Sequence, residues 1–145
     1  MINSKLKVRN ISRREMTKYL IPLMVTHNPK IKKGQLEKSL KEMLKQNYAC
    51  VGAFLNGQCI GVAGYWSGTR FWCGRYIDVD NVYVLDAYRR QNVGKVIMDF
   101  IETIAKKQKA NMIVLDSYVT ASKAHKFYFR EGYAVAGYHF FKKLN

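Results

Sequence analysis

The chain has 145 residues, a formal net charge of +15 at pH 7 and a hydrophobic content of 48%, which is that of a packed globular protein. A chain of this length can bury roughly two-thirds of its unfolded surface, so residues 1–145 are expected to form a single domain. No apolar run approaches the roughly 20 residues of a membrane-spanning helix, and the N-terminus breaks up its apolar residues too often for a secretory signal. We therefore expect a cytoplasmic protein with no membrane partner.

The three cysteines, Cys50, Cys59 and Cys73, are odd in number and fit no metal-binding spacing such as Cys-x-x-Cys. An intracellular chain keeps such thiols reduced, and free cysteine behaves as a small apolar residue. We expect three buried structural thiols and no metal.

The net positive charge allows three interpretations: binding of an anionic cofactor, binding of an anionic macromolecule such as RNA, or an effect on solubility alone. The lysines do not decide between them, because most are explained by a solvated surface. Against this background Asp78 and Asp80 stand together as an acidic pair. Two carboxylates so close in a basic chain indicate a specific role.

The first half of the chain predicts a strand, two helices and a hairpin. Residues 5–10 alternate like a short strand, and Ser12-Arg-Arg-Glu15 is a capping box that begins a helix. Pro22 should kink or end this helix. A second helix follows with an apolar face formed by Leu36, Leu40, Met43 and Leu44.

The second half predicts strands alternating with helices. Strands at residues 48–55 and 58–66 are joined by Asn56-Gly57, a typical two-residue hairpin turn. A long strand at 75–84, a helix at 94–109 and a strand at 111–118 follow. Thr120 should cap a short helix that ends at Gly132, and residues 133–144 read as extended.

This order of elements predicts an α/β or α+β fold with a mixed sheet. Residues 75–118 form a strand, a crossover helix and a second strand, which should be parallel and right-handed. Ligands of such units lie at the carboxyl ends of the strands. The segment at that end, residues 82–95, is therefore the most informative part of the chain.

Residues 82–95 have the pattern of a phosphate-binding turn. A strand passes directly into a helix, whose first N–H groups and dipole favour an anion. Arg89, Arg90 and Lys95 add full positive charges, and Gly94 allows a pyrophosphate to approach the backbone. Taken alone, the segment could equally be a solvated basic turn.

Two motifs resemble those of the GNAT superfamily of N-acetyltransferases. Arg89-Arg-Gln-Asn-Val-Gly94 resembles the acetyl-CoA signature of that family, and residues 121–133 resemble its second motif, with Ala124, Tyr128 and Gly132 as the fixed points. The order of elements is also similar, so the resemblance covers nearly the whole chain. More narrowly, the second motif and Tyr-His-Phe140 resemble a bacterial branch of the family.

The resemblance implies the GNAT fold: a mixed, mostly antiparallel sheet of six to seven strands, flanked by about four helices, with central parallel strands splayed at the acetyl-CoA site. It implies an acyltransferase that moves an acetyl group from acetyl-CoA to a primary amine of a small molecule or protein, by direct attack in a ternary complex. The residues implied in binding acetyl-CoA are Val82, Val84, Arg89, Arg90, Gln91, Asn92, Val93, Gly94, Lys95, Ala124 and Tyr128.

The chain departs from the family pattern at two positions. Asn92 stands where the family usually has the first glycine of the turn, and asparagine tolerates a left-handed backbone better than most residues. Ala121 stands where an asparagine often contacts the pantetheine arm, so that hydrogen bond is lost or supplied by another group. Cofactor binding is expected to survive both changes.

Three side chains are candidates for proton transfer. An amine with a pKa of about 10.4 is almost fully protonated at pH 7, so a base must accept its proton. Asp80 lies about where the family often carries a glutamate that acts through water, and His139 is the rival base. The resemblance implies that Tyr128 protonates the leaving thiolate and that the Val84 N–H polarises the thioester carbonyl.

Two other functions stay open beside transfer to a small-molecule or protein amine. The positive charge allows an acetyltransferase that acts on RNA or aminoacyl-tRNA, with nucleic acid as a partner. The two departures allow a non-catalytic sensor that binds acyl-CoA. The acceptor is not readable from the sequence, and neither is the choice between monomer and homodimer.

Overall fold

The computed structural model describes residues 5–144, which fall into two compact units that divide between Val114 and Leu115. The strands are β1 (Lys7–Ile11), β2 (Ala49–Leu55), β3 (Gln58–Arg70), β4 (Gly74–Val84) and β5 (Met112–Leu115); the helices are α1 (Met16–His27), α2 (Lys33–Lys45), α3 (Val93–Lys107) and α4 (Ser122–Arg130). Among the described residues, no helix combines the length and apolar character needed to cross a membrane. That the whole chain is one domain stays a prediction.

The strands form one sheet in the order β1-β2-β3-β4-β5. The first three pairings are antiparallel, as expected for a mostly antiparallel sheet. The predicted hairpin is confirmed: Asn56 and Gly57 join β2 to β3 with φ of 50° and 82°, and two positive φ angles suit the right-handed twist of the strands.

The number of strands is lower than the six to seven expected. The described residues form five strands, and none lies in residues 133–144. Aromatic residues in that segment predicted an extended chain, but a strand also requires a neighbour with which to exchange backbone hydrogen bonds. The local sequence of residues 133–144 does not show whether such a neighbour is present.

The capping box at the start of α1 is half formed. The Ser12 N–H donates to Glu15 Oε2 at 2.9 Å, whereas no side chain caps the helix. Pro22 does not end α1, which continues to His27. The apolar side of this helix is buried in the core, and that burial outweighs the backbone hydrogen bond that proline cannot donate.

The helices of the first unit pack on both faces of the sheet. Val62 belongs to the core cluster that contains the buried residues of α1 and α2, whereas a Cβ on the neighbouring Gly61 would lie 3.1 Å from Ile97 of α3. Successive residues of a strand point to opposite faces. Helices α1 and α2 therefore cover one face, and α3 covers the other.

The expectation of buried, reduced cysteines is confirmed for all three. Burial raises the pKa of Cys59 to about 11 and raises that of Cys50 further. These two thiols stay protonated at neutral pH.

Helix α4 starts one residue later than its predicted cap implies. The residue before its first turn is Ala121, and no side chain caps the helix. The Ser122 N–H instead donates to the backbone oxygen of Thr120 at 3.1 Å. The Thr120 hydroxyl therefore does not act as the cap. Gly132 follows the helix with φ of 87°, the left-handed conformation that favours glycine after a helix.

Candidate active site

The carboxyl end of β4 is tied to the turn that follows it. The Leu85 N–H donates to the Ile60 oxygen of β3 at 2.9 Å. Because N–H groups alternate in direction along a strand, the N–H groups of Val84 and Val82 point away from β3. The strand end therefore offers backbone donors on the side where sequence reasoning expected the thioester.

The turn between β4 and α3 contains two residues in the left-handed conformation. Arg90 has φ of 60°, and Asn92, which immediately precedes α3, has φ of 63° and ψ of 8°. Alternation of left- and right-handed residues gathers successive N–H groups into a concave anion-binding turn. Asn92 thus adopts the backbone conformation that the usual glycine would provide.

The amino end of α3 completes this turn. The Val96 N–H donates to the Asn92 oxygen at 3.0 Å, so the N–H groups of Val93 and Gly94 lie at the open end of the helix. The positive end of the helix dipole adds to them. We call residues 89–95 the anion turn.

Two of the three cations of the anion turn pair with carboxylates of the same chain. Arg89 lies 2.8 Å from Asp86, and Lys95 lies 2.9 Å from Asp99. The side chains of both pairs are exposed, so these contacts are weak in water. An incoming pyrophosphate can replace the carboxylates as the partner of these cations.

Strand β4 contains a bulge just before this end. Val62 pairs with Tyr83 and Gly64 with Asp80, so two residues of β4, Asn81 and Val82, lie opposite one residue of β3. Asn81 has φ of 55°. Bulges bend a strand and often lie beside active sites.

The bulge was missed by sequence reasoning. Its signal is an asparagine within a strand, because asparagine visits the left-handed region more readily than the β-branched residues typical of strands. Asn81 could have been recognised on that ground.

The two aspartates predicted as an acidic pair have different surroundings. Asp80 is exposed, and its Oδ1 accepts the Asn81 N–H at 2.8 Å. Asp78 lies 3.5 Å from Arg70. They are two residues apart ahead of the bulge and share a face of β4, as expected. Asp80 therefore helps to shape the bulge, and its role as a base stays a prediction.

His27 is a candidate that sequence reasoning did not identify. Its ring lies 4.7 Å from that of Tyr83, the residue before Val84, and Arg89 lies 5.5 Å from the same Tyr83 ring. Burial and the charge of Arg89 lower the pKa of His27. A neutral imidazole thus lies beside the strand end at neutral pH.

In the second unit, Tyr128 and Ala124 lie one turn apart on α4 and share a face of the helix. The Tyr128 ring lies 5.3 Å from Phe127 and 5.7 Å from Tyr133. Burial raises the pKa of Tyr128, so its hydroxyl remains a proton donor at neutral pH. This is the state that the predicted acid requires.

His139 pairs with a carboxylate of its own unit. Its Nδ1 lies 3.1 Å from Asp116 Oδ2, and both side chains are exposed. Its role as the rival base stays a prediction. Across residues 5–144 there is no group of three or more histidine, cysteine or acidic side chains placed to hold a metal.

One curated relative is the aminoalkylphosphonate N-acetyltransferase of Salmonella typhimurium, which is 27% identical over 93 residues. The match covers 63% of this chain and 60% of that protein's length.

The fold is similar to that of solved acetyltransferases. An aminoglycoside acetyltransferase from an uncultured soil metagenomic sample superimposes with a TM-score of 0.86 at 14% identity, over 100% of both chains. The ribosomal-protein-alanine N-acetyltransferase of Brucella melitensis gives 0.81 at 17% identity, over 97% of this chain and 99% of that one. The aminoglycoside N-acetyltransferase AAC(6')-Iy in complex with CoA gives 0.84 at 14% identity, over 96% of this chain and 94% of that one.

The model of the acetyltransferase (GNAT) family matches residues 8–133, which include the bulge of β4, the anion turn and α4. The chain therefore belongs to the acetyltransferase (GNAT) family.

Proposed function

We propose that this protein transfers the acetyl group of acetyl-CoA to a primary amine, by direct attack of the amine on the thioester in a ternary complex. The observation that carries the proposal is the arrangement at the end of β4. A bulge, outward-pointing N–H groups and a basic left-handed turn follow one another within residues 80–95.

The anion turn is proposed to bind the pyrophosphate of the cosubstrate. The N–H groups of Val93 and Gly94 and the dipole of α3 favour an anion, and Arg89, Arg90 and Lys95 supply full charges. Gln91 and Asn92 lie within the same turn and contribute backbone. The pantetheine arm would then run along the strand end at Val82 and Val84.

The chemistry requires one base and one acid. The ammonium form of the amine loses a proton to Asp80 through water, and its nitrogen then forms a bond to the acetyl carbon. The nitrogen loses its second proton to solvent as the carbon–sulfur bond breaks, which leaves a neutral amide. The Val84 N–H donates to the carbonyl oxygen while negative charge develops there. The departing thiolate takes a proton from Tyr128, which regains one from solvent, whereas Asp80 releases its proton to solvent.

The acceptor we favour is a small amine that also carries a negatively charged group. A chain with a net charge of +15 repels polycationic amines at long range and attracts anionic ones. The match to a relative named for aminoalkylphosphonates supports the same class, although it covers only part of each chain.

An acceptor screen tests the proposal. CoA release is measured with acetyl-CoA and, in turn, aminoalkylphosphonates, aminoglycosides, polyamines, peptides with a free N-terminus and aminoacyl-tRNA. Release that depends on an added amine is expected, with aminoalkylphosphonates faster than polyamines. Faster release with polyamines would contradict the assignment of the acceptor class. Binding of acetyl-CoA without release in any reaction would favour the sensor.

The positive charge supports RNA or aminoacyl-tRNA as a second candidate acceptor. This candidate predicts tRNA binding that weakens steeply between 50 and 200 mM salt, by about 1,000-fold for six phosphate contacts. Weak binding that changes little over this range would remove it.

A further inference from the structure

We propose that Tyr48 is a positioning residue for acetyl transfer, because its hydroxyl holds Asn81 and thereby fixes the bulge of β4. The Tyr48 hydroxyl donates to Asn81 Oδ1 at 2.9 Å. The inference rests on the proposed function, since it assigns Tyr48 a role in orienting the groups that the proposal places at the thioester.

Tyr48 reaches β4 from two strands away. It lies immediately before β2, and its side chain passes over Gly64 of β3, where any Cβ would overlap with the phenol. Gly64 in turn pairs with Asp80 of β4. The glycine therefore opens a path across the central strand, and a tyrosine is long enough to use it.

The phenol of Tyr48 is held firmly in this path. Its side chain is only 3% exposed, and its ring lies 4.9 Å from that of Trp66. Burial, with smaller contributions from Cys50 and Asp80, raises the pKa of Tyr48 well above that of ordinary tyrosine. The hydroxyl is therefore always a donor, and Asn81 Oδ1 is its acceptor.

Asn81 is held on two sides in a conformation that side chains rarely adopt. Its φ is 55°, its amide oxygen accepts the Tyr48 hydroxyl, and its N–H donates to Asp80 Oδ1. A left-handed residue inside a strand persists only where its surroundings enforce it. The two hydrogen bonds supply that enforcement.

The bulge determines the face of the sheet to which each later side chain of β4 points. A shift of one residue in strand register moves every side chain to the other face of the sheet. The extra residue at Asn81–Val82 therefore separates the register of Asp80 from that of Val84. Fixing Asn81 fixes the direction of the proposed base relative to the proposed carbonyl donor.

This placement predicts an effect on turnover and not on cosubstrate affinity. The anion turn lies beyond Val84, and its backbone is set by Arg90, Asn92 and the start of α3. Removal of the Tyr48 hydroxyl leaves these contacts in place. Small displacements of reacting groups, by contrast, have large effects on rate.

The test is Tyr48→Phe, which keeps the ring over Gly64 and removes only the hydroxyl. Tyr65→Phe is the matched control, because Tyr65 is a buried tyrosine of β3 next to Gly64. We expect kcat of Tyr48→Phe to fall by about 10- to 100-fold, with the Kd of acetyl-CoA changed by less than about threefold. We expect Tyr65→Phe to keep its kcat.

A second variant separates positioning from a loss of stability. Asn81→Gly keeps the left-handed backbone and removes the amide that Tyr48 holds. If the two residues act as one unit, the double variant Tyr48→Phe with Asn81→Gly should have the same kcat as the less active of the two single variants. Losses in kcat that multiply, or a kcat of Tyr48→Phe equal to that of Tyr65→Phe, would overturn the proposal.

Wild-type turnover in the same assay tests the proposed function separately. If the wild type transfers acetyl to no amine, the geometry of the bulge is followed instead by NMR. The amide signals of Val82 and Val84 are recorded during titration with acetyl-CoA. We expect these two signals to move in the wild type and in Tyr65→Phe and to respond differently in Tyr48→Phe. Identical responses in all three proteins would overturn the role of Tyr48.

Discussion

The Nε of Arg89 donates to the backbone oxygen of Val84 at 3.0 Å, so the first cation of the anion turn is bonded to the last residue of β4. The same guanidinium pairs with Asp86. Arg89 therefore has a defined orientation before any cosubstrate arrives. Such preorganisation lowers the entropy lost on binding.

The first prediction concerns this geometry. Arg89→Lys keeps the charge but loses the planar guanidinium that contacts both Val84 and Asp86. The lysine is less well oriented before binding, so the Kd of acetyl-CoA should rise by about tenfold. Arg90→Lys is the comparison, because Arg90 is an exposed arginine next to Arg89 and the change keeps its charge, so its Kd should change by less than about threefold. Isothermal titration calorimetry measures both. Equal Kd values for the two variants would contradict the role given to Arg89.

The second prediction concerns Tyr128 as the acid. Tyr128→Phe should lower kcat by about 100-fold or more while the Kd of acetyl-CoA stays unchanged, since only proton transfer is removed. Tyr138→Phe in the C-terminal segment is the control. Because burial raises the pKa of Tyr128, wild-type activity should not decline from loss of its proton until the pH exceeds about 10. A silent Tyr128→Phe variant would favour the sensor instead.

The third prediction concerns stability in acid. Hydrogen bonds from Arg9 and from the Ser12 N–H lower the pKa of Glu15 to about 2. A carboxylate whose pKa is depressed by folding stabilises the protein fully above its unfolded pKa of about 4.3, and this stabilisation is lost as the pH falls toward 2. The difference in Tm between wild type and Glu15→Gln should therefore shrink from pH 5 to pH 2.

The control for Glu15 is Glu42→Gln, whose carboxylate lies 2.9 Å from Lys45 in an exposed pair. Such a pair contributes little to stability, so this variant should follow the wild type closely. A Tm difference for Glu15→Gln that stays constant down to pH 2 would show that the Arg9–Glu15 contact is not the cause.

The fourth prediction concerns the path that Gly64 leaves for Tyr48. Gly64→Ala places a Cβ in the volume of the phenol, and such overpacking should lower the free energy of unfolding by about 1–3 kcal/mol. Gly34→Ala in α2 meets nothing within 4 Å and should be neutral or slightly stabilising. Urea denaturation compares the two. A stable Gly64→Ala protein would mean that the phenol has another position available.

Local signals in the sequence predicted the hairpin, the long strand β4 and the turn into α3. Asn56-Gly57 favours a two-residue turn because both residues adopt positive φ angles. The apolar spacing of α3 indicates an amphipathic helix whichever part of the protein it packs against. The left-handed Asn92 was also within reach, because asparagine tolerates that conformation.

Features that depend on distant residues were not predicted. The hydrogen bond to Asn81 comes from Tyr48, which lies 33 residues earlier, and the position of His27 depends on how α1 packs against Tyr83. Of the two effects expected of Pro22, an end of α1 is wrong, because tertiary packing stabilises the helix beyond it; a kink stays a prediction. Whether residues 133–144 pair with a neighbouring strand was likewise beyond any local pattern, and no strand lies there.

The central claim is that this chain moves an acetyl group to an amine, and the most direct measurement is product analysis by mass spectrometry. The purified protein is incubated with acetyl-CoA and each amine of the acceptor screen, and CoA and acetylated amine are quantified together. We expect the two products to appear in equal amounts with at least one amine, and we expect Tyr128→Phe to form little of either. Acetyl-CoA binding with no acetylated amine from any acceptor would contradict it.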